Sequence, residues 1–159
     1  MSGLEIERKF LVTSDAWRTT DGVQITQGYL ARGSGQSVRV RVTPMKAWLS
    51  VKGPRHGIVC EEFEYPIPVD DGQKMLALCG DLVIEKIRHT VDHKGMRWEI
   101  DEFLGKNQGL IVAEIELSAP EQPFEHPAWL GREVTADPRY LNANLATQPI
   151  PAHDTYSHT

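Results

Sequence analysis

A chain of 159 residues, 40% hydrophobic and 25% charged, is long enough for one cored domain and short for two. Its net charge of -5 excludes an overall basic field for holding nucleic acid, so an anion site has to be assembled locally. No apolar run approaches the roughly 20 residues needed to cross a bilayer, and charge from Glu5 onward leaves no signal-peptide core. The expectation is a cytoplasmic protein without nucleic-acid or membrane partners, carrying Cys60 and Cys79 as reduced thiols.

Eight segments read as strands, at 3–12, 23–32, 37–43, 46–52, 59–67, 83–92, 96–103 and 110–117, many separated by Gly- and Pro-bearing turns. In the first, alternation sets Glu5, Glu7 and Lys9 on one face against Ile6, Phe10 and Val12. The third sets Arg39 and Arg41 against valines, and the fourth carries Lys52 with Trp48 and Ser50. Glu62 and Glu64 oppose Phe63 and Tyr65 in the fifth. A helix is expected from Asp70 to Gly80, with acids in its first turn and a glycine stop. The sixth strand offers Lys86 and Arg88; the seventh sets Glu99 and Asp101 against Trp98 and Ile100; the eighth carries Glu114 and Glu116. Short helical pieces are expected at 14–19, 120–130 and 137–146, and a loose tail over 147–159 beyond a single domain of residues 1–146.

Alternation alone is the ordinary mark of a sheet with one wet face. Here, however, the polar faces are almost wholly charged, and acids and bases come in blocks. Eight antiparallel strands are also about the number that closes a barrel around a small ligand. Charged faces turned inward would line a tunnel carrying both signs, with apolar faces outside beneath the helices. A polyphosphate chain suits such a lumen, because Lys9, Arg39, Arg41, Lys52, Lys86 and Arg88 can grip its oxygens. The carboxylates would repel that ligand unless Mg²⁺ or Mn²⁺ stood between them. By contrast, the His89/His93 spacing falls in a strand and turn, and Gly33-x-Gly35 lacks the lysine of a phosphate loop.

These residues resemble the CYTH, or triphosphate tunnel metalloenzyme, superfamily. The resemblance rests on Glu5-x-Glu7-x-Lys9, Arg39-x-Arg41, Lys52-Gly53, Glu62-x-Glu64, Glu85-Lys86-x-Arg88 and Glu114-x-Glu116. The stretch from Glu133 to Ala146 also looks like the C-terminal segment of short bacterial members. The resemblance implies an all-β-dominated α+β fold, an eight-stranded antiparallel closed barrel with helices packed outside and a C-terminal helix at one tunnel end. It further implies a metal-dependent hydrolase taking inorganic tripolyphosphate to pyrophosphate and phosphate. Class IV adenylate cyclase, thiamine triphosphatase and a non-catalytic polyphosphate- or nucleotide-binding module are the alternatives. Implied metal ligands are Glu5, Glu7, Glu114 and Glu116, with Glu62 and Glu64 positioning water and Lys86 at the scissile bond. Arg139 and Tyr140 are expected beside the substrate at the tunnel end. The partner is a small-molecule triphosphate, and the sequence leaves a homodimer open.

Overall fold

The protein is described by a computed structural model that covers residues 3–19 and 21–150. Nine strands form one antiparallel sheet in the order β5-β4-β3-β2-β6-β7-β8-β1-β9, and pairing of β5 with β1 closes the first eight into a barrel. The strands are β1 (Gly3–Val12), β2 (Val23–Arg32), β3 (Ser37–Val42), β4 (Ala47–His56), β5 (Val59–Ile67), β6 (Val83–His93), β7 (Met96–Phe103), β8 (Ile111–Glu116) and β9 (Leu130–Glu133). Closure uses only the first part of β1, where Gly3–Ile6 face Val59–Glu62 of β5. Farther along, Phe10 and Val12 pair instead with β9, a four-residue strand the periodicity did not reveal.

The expected orientation holds: charged residues face a lumen, and apolar residues cover the outside. Phe10, Val12, Trp98, Ile100, Ala113 and Ile115 form an outer cluster on β1, β7 and β8, covered by Trp17, Phe124 and Trp129. On the other side Val40, Val42 and Ala47 lie under α1 (Val69–Leu78). Among the described residues, only α1 is a full helix on the outside. The segment expected to be helical at 14–19 is a run of bends and turns, in which Ser14 Oγ accepts from Ala16 N while Trp17 is buried. The segment at 120–130 is irregular as well. Pro120, Pro123 and Pro127 remove the amide donors a helix needs, and cross-strand aromatics hold Phe124 instead.

One barrel end is plugged. Leu11, Tyr29, Ile84, Phe103 and Val112 each stand two residues from a lumen-facing polar residue and so share its face. They pack against Val134, Tyr140, Leu145, Ala146 and Ile150 from the C-terminal segment. That segment carries a 3-10 turn (Pro138–Tyr140) and the single-turn helix α2 (Asn142–Leu145), shorter than the helix expected over 137–146. Ile150 belongs to this buried cluster, so the chain is still anchored past Thr147; the rest of the expected tail, 151–159, lies outside the described residues.

Two glycines admit α1 against the sheet. A Cβ on Gly72 would stand 2.7 Å from Ala47 Cβ, and one on Gly28 would stand 2.6 Å from Cys79 Sγ. Gly28→Ala is therefore expected to destabilise the protein by about 1–3 kcal/mol through overpacking, read as a lower urea midpoint at unchanged slope. An unchanged midpoint would show that α1 docks loosely.

Candidate active site

The lumen cavity has a volume of about 210 Å³, and among the described residues only charged and polar side chains line it. Seven are carboxylates, Glu5, Glu7, Glu62, Glu64, Glu99, Glu114 and Glu116. Six are bases, Lys9, Arg39, Arg41, Lys52, Lys86 and Arg88, and Asn142 completes the wall. Strand alternation explains the convergence, since the barrel turns one face of each strand inward and the blocks of charge lie on that face. Register then sets the neighbours: Glu7 faces Glu116, Lys9 faces Glu114, and Glu99 faces Glu114.

The deepest contacts join β6 to β7. Asp101, 0% exposed, takes a two-pronged hydrogen bond from Arg88, Nε to Oδ1 at 2.8 Å and Nη2 to Oδ2 at 2.9 Å. Lys86 Nζ lies 2.7 Å from Asp101 Oδ2. Burial alone would raise the Asp101 carboxyl, but Arg88 and Lys86 outweigh it and hold the group far below the usual carboxylate range. Burial likewise brings Lys86 down to about 7, helped by Arg88 and Arg41 and opposed by Asp101. Arg41 falls to about 10, from burial and from Arg39 and Arg88 beside it.

A second set of contacts joins β1, β4 and β5. Lys52 Nζ donates to Glu5 Oε1 at 2.9 Å and stands 3.7 Å from Glu62. Burial would lower Lys52, yet Glu7 and Glu5 raise it overall. Arg39 reaches Ser50 and Glu62, while its Nε is buried without an acceptor. Lys9 lies 3.7 Å from Glu114 and 3.8 Å from Glu7.

Of the residues given a site role from the sequence, all line the lumen except two. Arg139 is on the surface, clasping Asp137, and Tyr140 is buried in the apolar plug. Asp137, before the 3-10 turn, accepts from Arg139 N and from its guanidinium, which turns that side chain away. Lumen residues without a site role from the sequence are Glu99 and Asn142. Glu99 has its signal in the seventh strand, on the face of Asp101. Asn142 lies in the C-terminal stretch that carries the resemblance, but no alternation aims it at the lumen; it arrives on the plug, where its Oδ1 accepts from Lys86 Nζ at 3.0 Å and Gln27 Nε2 at 3.3 Å.

The donor set fits a divalent cation in kind. Hard oxygen ligands crowd one region, and Glu116 is raised by burial and by Glu5, Glu7 and Glu99 around it, repulsion that a cation would relieve. Among the described residues no three acids already converge on one point. They are instead drawn toward Lys9, Lys52 and Arg88. A cation would therefore have to compete with internal bases for these oxygens.

An antiparallel barrel with a charged lumen and an apolar plug is a tunnel-barrel protein. The chain belongs to the CYTH family, whose domain model matches residues 3–148. It is 50% identical over 149 residues to an inorganic triphosphatase of Acetivibrio thermocellus, across 92% of this chain and 96% of that one. Identity to an inorganic triphosphatase of Nitrosomonas europaea is 32% over 146 residues, across 89% and 96% of the two chains. A crystal structure of an inorganic triphosphatase superposes with a TM-score of 0.65 at 32% identity, covering 92% of this chain and 99% of that one.

Asp101→Asn should cost about 3–5 kcal/mol at neutral pH, because Lys86 and Arg88 lose their shared buried counter-charge. The folded Asp101 group titrates below its unfolded value, so its stabilisation is present above about pH 4 and lost as pH falls further. Urea unfolding should show the gap between variant and wild type narrowing from pH 5 toward pH 2. A constant gap would contradict the assigned ionisation.

Proposed function

We propose that the protein hydrolyses inorganic tripolyphosphate to pyrophosphate and phosphate, with Mg²⁺ or Mn²⁺ as cofactor. The observation that carries this reading is the lumen wall, in which acids and bases are interleaved with no apolar side chain among the described residues. A simple anion would need only the bases, and a simple cation only the acids. A polyanion that travels with divalent cations uses both. The two inorganic triphosphatases that align along nearly the whole chain support the same substrate.

In this reading Lys9, Arg39, Arg41, Lys52 and Arg88 hold the phosphate oxygens, and the unpartnered Arg39 Nε supplies one donor ready for them. Glu5, Glu7, Glu114 and Glu116 hold the metal. When bound, the ion neutralises phosphate charge and acidifies water in its shell. Glu62 and Glu64 orient the attacking water, with Ser50 Oγ fixing Glu64 by a 3.1 Å hydrogen bond. Lys86, held between Asp101 and Asn142, stabilises the leaving or transferred phosphoryl group. Phosphoryl transfer needs chiefly positioning and charge stabilisation, and a rigid tunnel supplies both. The buried, unpaired thiols of Cys60 and Cys79 suit the reducing cytoplasm.

The deciding assay incubates purified protein with tripolyphosphate, ATP or thiamine triphosphate and Mg²⁺ or Mn²⁺, scoring phosphate and cyclic AMP. Phosphate released fastest from tripolyphosphate, without cyclic AMP, is the expected result. Cyclic AMP from ATP would make the protein a cyclase, and no product from all three would make it a binding module. Lys86→Ala should lower kcat by about 10²–10³-fold, the size of losing one charge-stabilising group. Circular dichroism should still show the fold, and near-normal turnover would remove that role from Lys86. Glu7→Gln should shift the Mn²⁺ titration of activity to roughly tenfold higher metal by deleting a ligand charge. Superimposable titrations would place the cation elsewhere.

A further inference from the structure

Beside the plug, a second cavity of about 390 Å³ runs on from the lumen; the two share Lys9, Arg39, Lys52 and Asn142. Its composition differs from the lumen's. Among the described residues, five bases line it, Lys9, Arg32, Arg39, Lys52 and Arg55, and no carboxylate does. Three of these are answered by lumen acids: Lys9 by Glu114, Arg39 by Glu62 and Lys52 by Glu5. Arg32 and Arg55 are not. Among the described residues neither forms an ion pair, and Arg32 Nη2 donates only to the neutral amide of Asn144, at 2.9 Å. Both project from β-strand ends, Arg32 closing β2 and Arg55 following an irregularity in β4. Neutral groups form the rest of the wall, including Tyr29, Leu141 and Ala143.

With Arg32 and Arg55 unanswered and no acid among its described lining residues, this cavity attracts an anion without a metal, unlike the lumen, where metal is needed to offset the carboxylates. We infer that this mouth is a metal-independent anion subsite, in which Arg32 and Arg55 receive whatever is joined beyond the third phosphate and favour it more as its charge becomes more negative. The inference rests on the triphosphatase reading of the lumen. It sets a specificity order: a fourth phosphate ahead of a neutral nucleoside, and a nucleoside ahead of the cationic thiamine group. Neither arginine belongs to the lumen wall, so discrimination can change while turnover of tripolyphosphate does not.

The test is calorimetric binding of inorganic tetraphosphate, ATP and thiamine triphosphate to the full chain in EDTA, where hydrolysis is suppressed. Wild-type protein should bind them in that order of affinity. In Arg32→Gln/Arg55→Gln the ratio of thiamine triphosphate Kd to tetraphosphate Kd should fall roughly tenfold, a few-fold for each partly solvated charge removed. Arg55→Lys, which keeps its charge, should retain most of the ratio. With Mg²⁺, tripolyphosphate kcat in the double Gln variant should stay within about twofold of wild type, which also reports a sound fold. A Kd ratio unmoved by the double variant, or no tetraphosphate binding in EDTA, overturns the subsite. Absence of tripolyphosphate hydrolysis by wild type would instead count against the lumen reading.

Discussion

Asp101 sits where β6 and β7 meet, fully enclosed and shared by two cations, and the geometry of the lumen depends on it. A buried carboxylate is tolerable only when its lone pairs are filled, and here two Arg88 nitrogens and Lys86 Nζ fill them. The same contact aims Lys86 and Arg88 along the tunnel instead of letting them swing toward solvent. It also locks the register. A slip of one residue on β7 would turn Trp98 and Ile100 into the lumen and Asp101 into the outer apolar cluster. That exchange is prohibitive, so one ion cluster specifies both strand pairing and the placement of Lys86 and Arg88 in the lumen.

From this follows the inverted layout of the barrel. Apolar area lies outside in two clusters, capped by α1 and by the irregular segments before and after the long strands, while a third fills the plugged barrel end against the C-terminal segment. The interior carries enough charge to be useful and is kept balanced by pairing acids with bases. Such pairing gives a polyanion with its cations a set of partners already in position, and each new contact replaces an internal one. Burial keeps those exchanges in a medium where charge matters more than in bulk water.

Much of this was readable from alternation, because barrel strands carry a period of two and the blocks Glu5/Glu7, Arg39/Arg41, Glu62/Glu64 and Glu114/Glu116 name the inward face without further information. What could not be read came from packing between distant segments. β9 spans four residues and exists because β1 has a free edge beyond its pairing with β5. Asn142 enters the site through the plug, whose position is set by apolar contacts at Leu145 and Ile150 rather than by a local pattern. Arg139 and Tyr140 look like ligand groups in the chain, yet a local clasp on Asp137 and burial of the ring draw them elsewhere. Asp101 and Glu99 share a strand face, and only the partners reveal that one is a buried anchor and the other a lumen acid.

The position of β1 carries a consequence for assembly. This strand lies between β5 and β8, with β9 on its remaining edge, so Glu7 waits for Glu116 and Phe10 for Glu133 before its backbone groups are paired. Pairing over such sequence separation is entropically slow. The strand bearing the first carboxylates therefore joins the sheet late, and an unfinished polypeptide cannot present a working cavity.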